Sequence, residues 1–192
     1  MNRIEALNDF VIKFANVNGS GSASANELFV KAVMRMGVPV SPRNIFPSNI
    51  QGLPTWYEVR VTEKGYLGRR GGVDLMVAMN PQTWDQDVAE IEPGGYLLYD
   101  STRPVPQDSL RKDVRVIPVP LTDIANQAYE DPRQRQLFKN IIYVGALSVL
   151  LDVDVEVFEK LFAEQYKGKE REAFVKQKME ELEQTAKAQF KH

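Results

Sequence analysis

Residues 10–36 read FVIKFANVNGSGSASANELFVKAVMRM and combine an apolar strand pattern, a run of small residues and a helical pattern. Residues 10–17 are mostly apolar and favour a strand. From residue 23 onward, apolar side chains recur at helical spacing until Gly37, a residue type that often ends a helix. A strand that passes through glycines into a helix either binds phosphate through its backbone or simply forms a tight turn.

The rest of the chain repeats this alternation of apolar runs and helical segments, which predicts an α/β fold. We expect an open, mainly parallel, Rossmann-like sheet flanked by helices, with a helical C-terminal extension. Further strands are predicted at residues 38–41, 56–64, 73–80, 96–100 and 114–120. The alternating pattern of residues 56–64 indicates a strand with one solvent-facing side or a place near the sheet edge.

Helices account for most of the remaining sequence. Residues 81–95 begin with a proline and end with Pro-Gly-Gly, which predicts a short helix. The chain is predicted to be helical from residue 121, with helices at 132–151, 154–166 and 169–190. We expect a single domain over residues 1–192, divided into an α/β core (8–152) and C-terminal helices (153–192).

Composition excludes several kinds of chemistry from this chain. There is no cysteine and the one histidine is His192, so thiolate catalysis, thiolate-bound clusters and histidine triads are excluded. A net charge of −2 does not suggest a general nucleic-acid binder. The start of the chain lacks a signal-peptide pattern, and the apolar stretch at 141–151 is shorter than the roughly 20 residues that span a bilayer. We therefore expect a cytoplasmic protein that does not enter a membrane.

The glycine-serine loop offers backbone N–H groups and a helix dipole to an anion. Gly19 and Gly21 would allow close approach, and one of the serines Ser20, Ser22 and Ser24 is expected to cap the helix. The loop is not a Walker A motif, and the third glycine of a dinucleotide fingerprint is replaced by Ser24.

The acidic residue that grips a ribose in NAD enzymes is also absent, because that region reads SPRN. Coenzyme A suits the residues better than NAD, with its diphosphate on the loop and its ribose phosphate near a basic side chain. The candidates for this basic side chain are Arg43, Lys64, Arg69 and Arg70. A turn that binds nothing remains the alternative.

Two further stretches contain more directed polar and aromatic groups than connecting loops need. In FPSNIQGLPTWYEVRV (46–61), Asn49 and Gln51 offer hydrogen bonds, while Trp56 and Tyr57 are either contact residues or core aromatics. In KGYLGRRGGVD (64–74), Arg69 and Arg70 lie either at a solvated hairpin tip or in a grip for an anion or partner carboxylate.

No residue has the neighbours of a catalytic group. Asp74, Asp100 and Asp123 lie near predicted strand ends, but none has a partner that would make it a nucleophile or base. Asp100 is better interpreted as a helix or turn cap. The residues therefore indicate a binding and assembly module.

Four segments together resemble a known family: NGSGSASAN, RMGVPVSPRNIFPSNIQGLPTWYEVRV, GGVDLMVAMN and NIIYVGALSVLLDVD. They are similar to the gamma domain of 2-oxoacid:acceptor (ferredoxin) oxidoreductases, and most similar to the form fused at the N-terminus of the alpha subunit. The resemblance covers residues of about 8 to 168, and FPSNIQGLPTWY is its most specific part. Stand-alone gamma subunits often carry G-x-G-G-Q-G where this chain has GSGSAS.

The resemblance implies an enzyme that oxidatively decarboxylates a 2-oxoacid to an acyl-CoA and passes electrons to ferredoxin or a similar acceptor. Thiamine diphosphate with Mg²⁺ and iron–sulfur clusters would lie on partner alpha and beta subunits or domains. The gamma domain would be non-catalytic, would bind coenzyme A in part and would pack against the thiamine-binding partners. The chain is then either a separate subunit or a piece of a longer fused chain.

Carried onto this sequence, the resemblance implies two groups of site residues. The expected coenzyme A contacts are Asn18, Gly19, Ser20, Gly21, Ser22 and Ala23, with Arg43 as a weaker candidate. The stretch Ser48 to Tyr57 is expected to face the thiamine-binding domains, with Asn49, Gln51, Trp56 and Tyr57 as interface residues. Arg69 and Arg70 are added to the interface from their residue type, since the family motifs do not single them out. A free-standing coenzyme A or nucleotide-binding module without oxidoreductase partners is the alternative, followed by an NAD-dependent dehydrogenase.

Overall fold

The computed structural model describes residues 8–66 and 68–165, which form a six-stranded sheet with helices on both faces. The strands are β1 (Asp9–Val17), β2 (Val40–Ile45), β3 (Pro54–Thr62), β4 (Val73–Ala78), β5 (Ile91–Asp100) and β6 (Arg115–Val119). The helices are α1 (Ser22–Arg35), α2 (Trp84–Ala89), α3 (Leu121–Ala128), α4 (Pro132–Leu150) and α5 (Val155–Gln165). Single 3-10 turns occur at Pro81–Thr83 and Gln107–Ser109.

The sheet is mixed, in the order β2-β3-β1-β4-β5-β6. Strands β1, β4, β5 and β6 are parallel, while β3 is antiparallel to both β1 and β2. The predicted α/β class is confirmed. The carboxyl ends of the parallel strands meet at one edge, where doubly wound folds place their ligands.

The edge strand β2 is longer than the predicted strand at 38–41, because it continues through Pro42 to Ile45. Proline lacks an N–H donor, and an edge strand tolerates this because one side of it has no hydrogen-bonded neighbour. The predicted place of β3 near the sheet edge is confirmed, since β3 is the second strand. Its predicted solvent-facing side is wrong: Glu58 and Arg60 are both 8% exposed and are paired with Arg69 and Asp9.

The larger apolar core lies on one face of the sheet, beneath α1, α3, α4 and α5. At its centre the ring of Phe14 contacts Phe29, Tyr57 and Tyr143, with centroids 5.9, 6.3 and 5.9 Å away. A smaller cluster around Met76 and Leu97 includes Val88 of α2 and lies on the other face. Because the smaller cluster covers only part of the second face, the β1–β3 half of that face carries paired charges. An example is Lys13 of β1, which forms an ion pair with Glu90 at the end of α2.

The predicted helix at 81–95 is too long. It is replaced by the 3-10 turn, α2 and the start of β5, so Pro93, Gly94 and Gly95 belong to a strand. The register shifts here, because Val73 pairs with Ile91 whereas Leu75 pairs with Tyr96. Pro-Gly-Gly therefore forms a bulge, with Gly94 at a φ of 81°.

The predicted helices at 132–151 and 154–166 are confirmed by α4 and α5. The predicted helix at 169–190 lies outside the described residues. Within the described ranges, no helix combines the length and apolar character that crossing a membrane requires. The assignment of the whole chain to one domain stays a prediction.

Candidate functional site

Two cavities open at the carboxyl edge of the sheet. The first, which we call the glycine-loop cavity, has a volume of about 360 Å³. Seven predicted site residues line it: Asn18, Gly19, Gly21, Ser22, Ala23, Trp56 and Tyr57. Five residues that were not predicted complete its lining: Asn16, Asn26, Asn44, Phe46 and Thr55. The glycine loop and the start of β3 are thus brought together as a single site.

Within the described ranges, no side chain caps the N-terminus of α1. Gly21 occupies the N-cap position with a φ of 77°, and the first turn contains no acidic residue. The predicted serine cap is therefore wrong, and the Ser20 hydroxyl instead donates to Ser22 Oγ over 3.1 Å. Because neither a cap nor a carboxylate neutralises it, the positive end of the helix dipole is available to an anion.

The neighbours of both loop glycines leave no room for a side chain at either position. A Cβ at Gly19 would lie 2.8 Å from Cγ of Gln51, and a Cβ at Gly21 would meet the Leu137 side chain. Since both residues have positive φ, a substitution would strain the backbone whether or not a ligand binds. The glycines therefore fit both the binding loop and the simple turn.

The loop at 46–53 is attached to the glycine loop through Asn18. The Asn18 N–H donates to the Leu53 carbonyl (2.8 Å), and the Asn18 carbonyl accepts from the Gly52 N–H (3.0 Å). Its side-chain Nδ2 donates to the Ile50 carbonyl over 3.1 Å. Asn18 thus fixes one wall of the cavity, with the exposed Gln51 lying against Gly19. Asn49 is exposed on the same loop.

Four buried asparagines that were not predicted as site residues support the site: Asn16, Asn26, Asn80 and Asn140. Asn26 Oδ1 accepts from the Tyr143 hydroxyl (2.8 Å), and Asn140 Nδ2 donates to the Ser20 carbonyl (2.9 Å). Asn80 Nδ2 donates to the Asn16 carbonyl over 3.4 Å. The signal in the sequence is weak: Asn16 and Asn26 flank the glycine loop, but Asn80 and Asn140 lie far from it along the chain, and only the fold brings them to it.

The aromatic pair of β3 is buried, and both residues line the cavity. Tyr57 packs in the larger core, and burial raises its pKa to about 12. Trp56 Nε1 donates to Asp87 Oδ1 over 2.7 Å, and the Thr83 hydroxyl donates to Asp87 Oδ2 over 2.6 Å. Burial is the main cause that raises the pKa of Asp87, and these two hydrogen bonds partly oppose it.

The predicted basic residues do not line the glycine-loop cavity. Arg43 pairs in register with Glu58 and so shares its sheet face, while its neighbour Asn44 reaches the cavity. Arg69 lies 3.4 Å from Glu58, and Arg70 forms an ion pair with Asp74. Arg69 and Arg70 line a separate depression of about 410 Å³.

The second cavity, which we call the β4–β5 cleft, has a volume of about 770 Å³. Asp100 at its rim accepts hydrogen bonds from the N–H groups of Thr102 and Thr122, each 3.2 Å long, which confirms the predicted cap. Burial opposes ionisation of Asp100, but its hydrogen bonds from Thr122 and the charge of Lys139, 3.1 Å away, outweigh it and lower its pKa. In the described part of the chain, no three His, Cys, Asp or Glu side chains are grouped as metal ligands.

Comparison with known proteins identifies the family. Residues 11–188 match the family described as pyruvate ferredoxin/flavodoxin oxidoreductase. The chain belongs to this family. It is 23% identical over 200 residues to the alpha subunit of 2-oxoacid:ferredoxin oxidoreductase 2 from Aeropyrum pernix, covering 85% of the chain and 31% of the relative.

Solved structures of this oxidoreductase family share the fold. The 2-oxoglutarate:ferredoxin oxidoreductase of Magnetococcus marinus, bound to 2-oxoglutarate, coenzyme A and succinyl-CoA, has a TM-score of 0.82 at 25% identity. The match covers 95% of the present chain and 32% of that chain. The chain thus spans about a third of the A. pernix and M. marinus proteins.

Two shorter proteins match over nearly their full length. A pyruvate oxidoreductase subunit of Thermotoga maritima has a TM-score of 0.70 at 18% identity, with 96% and 97% of the two chains covered. The gamma subunit of a keto/oxoacid ferredoxin oxidoreductase from Geobacter sulfurreducens has a TM-score of 0.69 at 20% identity, with 94% and 97% covered. The resemblance stated from the sequence is confirmed.

Proposed function

We propose that this chain is the non-catalytic gamma-type part of a thiamine diphosphate-dependent 2-oxoacid:ferredoxin oxidoreductase. The assembled enzyme would convert a 2-oxoacid to an acyl-CoA in the cytoplasm, and this chain would contribute coenzyme A binding and assembly. The family match supports the enzyme class, and the bound coenzyme A of the M. marinus relative supports the ligand.

The observation that carries the proposal is the uncapped N-terminus of α1 at the mouth of the glycine-loop cavity. The backbone N–H groups of Ser22, Ala23 and Ser24 lie in the first turn, where no side chain of the helix competes for them. A diphosphate on this turn would gain hydrogen bonds and the favourable helix dipole. Asn18 and Asn140 would hold the loop in place through their bonds to Leu53, Ile50 and Ser20.

The lining of the cavity suits binding rather than proton transfer. It includes no Asp, Glu, Lys or Arg side chain among the residues described there, and Tyr57 has a pKa of about 12. A group with that pKa neither gives nor takes a proton readily near pH 7. Thiamine diphosphate would supply the decarboxylation chemistry and iron–sulfur clusters the electron transfer. Because this chain has no cysteine to ligate iron–sulfur clusters, the clusters would lie on alpha and beta partners, which would also bind thiamine diphosphate.

Aspartate substitutions at two neighbouring positions of α1 test the phosphate contact. Ala23 and Ser24 are both exposed in the first turn of α1, but only Ala23 lines the cavity. An aspartate at either position should stabilise the helix by about 0.3–1 kcal/mol through the dipole. Ala23→Asp should also repel the diphosphate and lower the coenzyme A affinity by about tenfold or more, equivalent to about 1.4 kcal/mol. Ser24→Asp is the matched control and should lower that affinity much less.

Calorimetric titration of coenzyme A into each purified chain measures the affinity, and urea denaturation measures the stability. If the Ala23→Asp and Ser24→Asp chains bind coenzyme A as tightly as the unmodified chain, the loop is only a turn. Purification from the native host tests the partners, because a brown complex that reduces a viologen dye with a 2-oxoacid and coenzyme A is expected. Recovery of a colourless chain without partners would contradict the assembly role.

A further inference from the structure

The β4–β5 cleft is a second site of ligand size. Its volume of about 770 Å³ falls within the range of about 300–1,000 Å³ that is typical of small-molecule pockets. It shares no lining residue with the glycine-loop cavity. It opens where β4 and β5 end, at the edge where open α/β sheets bind ligands.

One wall of the cleft is aromatic. The rings of Trp84 and Tyr99 meet edge to face, with centroids 5.5 Å apart and planes at 75°. Met79, Pro104 and Val105 add apolar surface to the lining. A flat heterocycle can stack on such a wall and still leave its polar edge free for hydrogen bonds.

The charged groups of the cleft differ in whether they have partners. The Asp100 carboxylate is bound by Thr122 and Lys139, so the charge of Lys139 is already paired. Arg103, in contrast, is exposed and forms no ion pair with any residue that the structure describes.

We propose that the β4–β5 cleft binds a purine nucleotide. The base stacks against the Trp84–Tyr99 wall. The phosphate pairs with Arg103, whose forked guanidinium suits phosphate oxygens. A purine offers the large flat surface that stacks on an aromatic wall of this kind.

Two sources would supply this nucleotide chemistry. One is a free nucleotide such as AMP. The other is the nucleotide end of coenzyme A, and that version rests on the proposed function because the diphosphate would then lie on the glycine loop at the same edge. The experiment therefore includes probes for each source.

The two tryptophans of the chain separate the two sites. Trp84 lines the β4–β5 cleft and Trp56 lines the glycine-loop cavity, so Trp84→Phe leaves a reporter only in the latter. AMP and adenosine 3′,5′-bisphosphate should change the emission of the full chain and leave that of Trp84→Phe unaltered. Pantetheine 4′-phosphate, which has no base, should leave the Trp84 signal unchanged.

A pair of arginine variants tests the phosphate contact. Arg103→Gln should weaken AMP binding by about tenfold or more, as the loss of a charge-assisted bond predicts. Arg133→Gln removes an equally exposed arginine at the start of α4 that lines neither cavity, and should bind AMP normally. Urea denaturation of each variant checks that it is folded.

The outcomes distinguish the two sources and the two proposals. Displacement of AMP by coenzyme A would identify the site as the nucleotide end of coenzyme A, while AMP binding that persists in excess coenzyme A would identify a separate nucleotide site. No response of Trp84 to either nucleotide, or equal AMP affinities in the two arginine variants, would overturn the inference. A normal response of Trp56 to coenzyme A in Trp84→Phe would then still support the glycine-loop site.

Discussion

At the scale of single residues, Asp87 connects the glycine-loop cavity with the β4–β5 cleft. Its side chain is 0% exposed and receives hydrogen bonds from Trp56, which lines the glycine-loop cavity, and from Thr83, next to the β4–β5 cleft. Burial is the largest cause that raises its pKa, and the bonds from Thr83 and Trp56 and the charge of Lys13 only partly compensate. The folded protein therefore accommodates the ionised Asp87 less well than the unfolded chain does.

This shift predicts a pH dependence of stability. A carboxyl group whose folded pKa lies above the unfolded value of about 3.9 makes unfolding easier as the pH rises through the folded pKa. Asp87→Asn keeps an acceptor for Trp56 and removes the ionisation. We expect its free energy of unfolding, relative to the unmodified chain, to increase as the pH rises from about 3.5 into the neutral range.

Urea denaturation at a series of pH values measures this difference. Asp85→Asn is the matched control, because it removes an exposed carboxylate from the same helix, and its relative stability should not follow the trend. Parallel stability curves for Asp87→Asn and the unmodified chain would show that the buried carboxyl has no such effect.

At the scale of elements, the sequence predicted the strands whose apolar side chains form a continuous local run. The apolar runs at 10–17 and 73–80 correspond to β1 and β4, because a buried strand needs an uninterrupted set of apolar side chains. Pro-Gly-Gly at 93–95 was misread as a helix end, since the same residues that stop a helix also permit a bulge. Only the neighbouring strand β4 decides between these two uses.

The candidate site likewise has a part that the local sequence predicted and a part that it did not. The glycine loop and the pair Trp56 and Tyr57 were found from the sequence, because unusual residue types stand close together there. The four buried asparagines and the β4–β5 cleft were missed, since distant segments bring them together. Arg43 illustrates the reverse error: its residue type suits a phosphate, but the alternation of β2 places it on the sheet face of Glu58.

The bulge in β5 can be tested directly. A Cβ at Gly95 would lie 2.8 Å from the Asp74 carbonyl oxygen and 2.9 Å from that of Glu92, and neither backbone group can easily move. We therefore expect Gly95→Ala to lower the free energy of unfolding by about 1–3 kcal/mol, as overpacking commonly does. The shift of the urea midpoint measures the loss.

Gly94→Asn serves as the control for Gly95→Ala. Gly94 has positive φ and open space around its Cα, and asparagine tolerates that backbone conformation better than other side chains. Its cost should be clearly smaller. A Gly95→Ala chain as stable as the unmodified one would mean that β5 does not approach Asp74 this closely.

At the scale of the whole molecule, exposed apolar residues cluster beside the glycine-loop cavity. Phe46, Ile50 and Leu53 are 56%, 61% and 38% exposed, and all three lie at or within the loop between β2 and β3. Large apolar side chains grouped in this way commonly mark a protein contact. Because Asn18 bonds to Ile50, Gly52 and Leu53, a partner that covers this loop would also fix the glycine loop.

This arrangement predicts that assembly and coenzyme A binding depend on the same surface. The double variant with Phe46→Ser and Ile50→Ser should keep its urea midpoint, because both side chains are exposed in the isolated chain. In size-exclusion chromatography it should no longer bind the thiamine-binding partners that the proposed function requires. Met34→Ser is the matched control: Met34 is 57% exposed near the other end of α1, and its loss should leave assembly intact. If the double variant still forms the complete complex with normal coenzyme A dependence, the partners must contact this chain elsewhere, and the link between assembly and the loop at 46–53 would be lost.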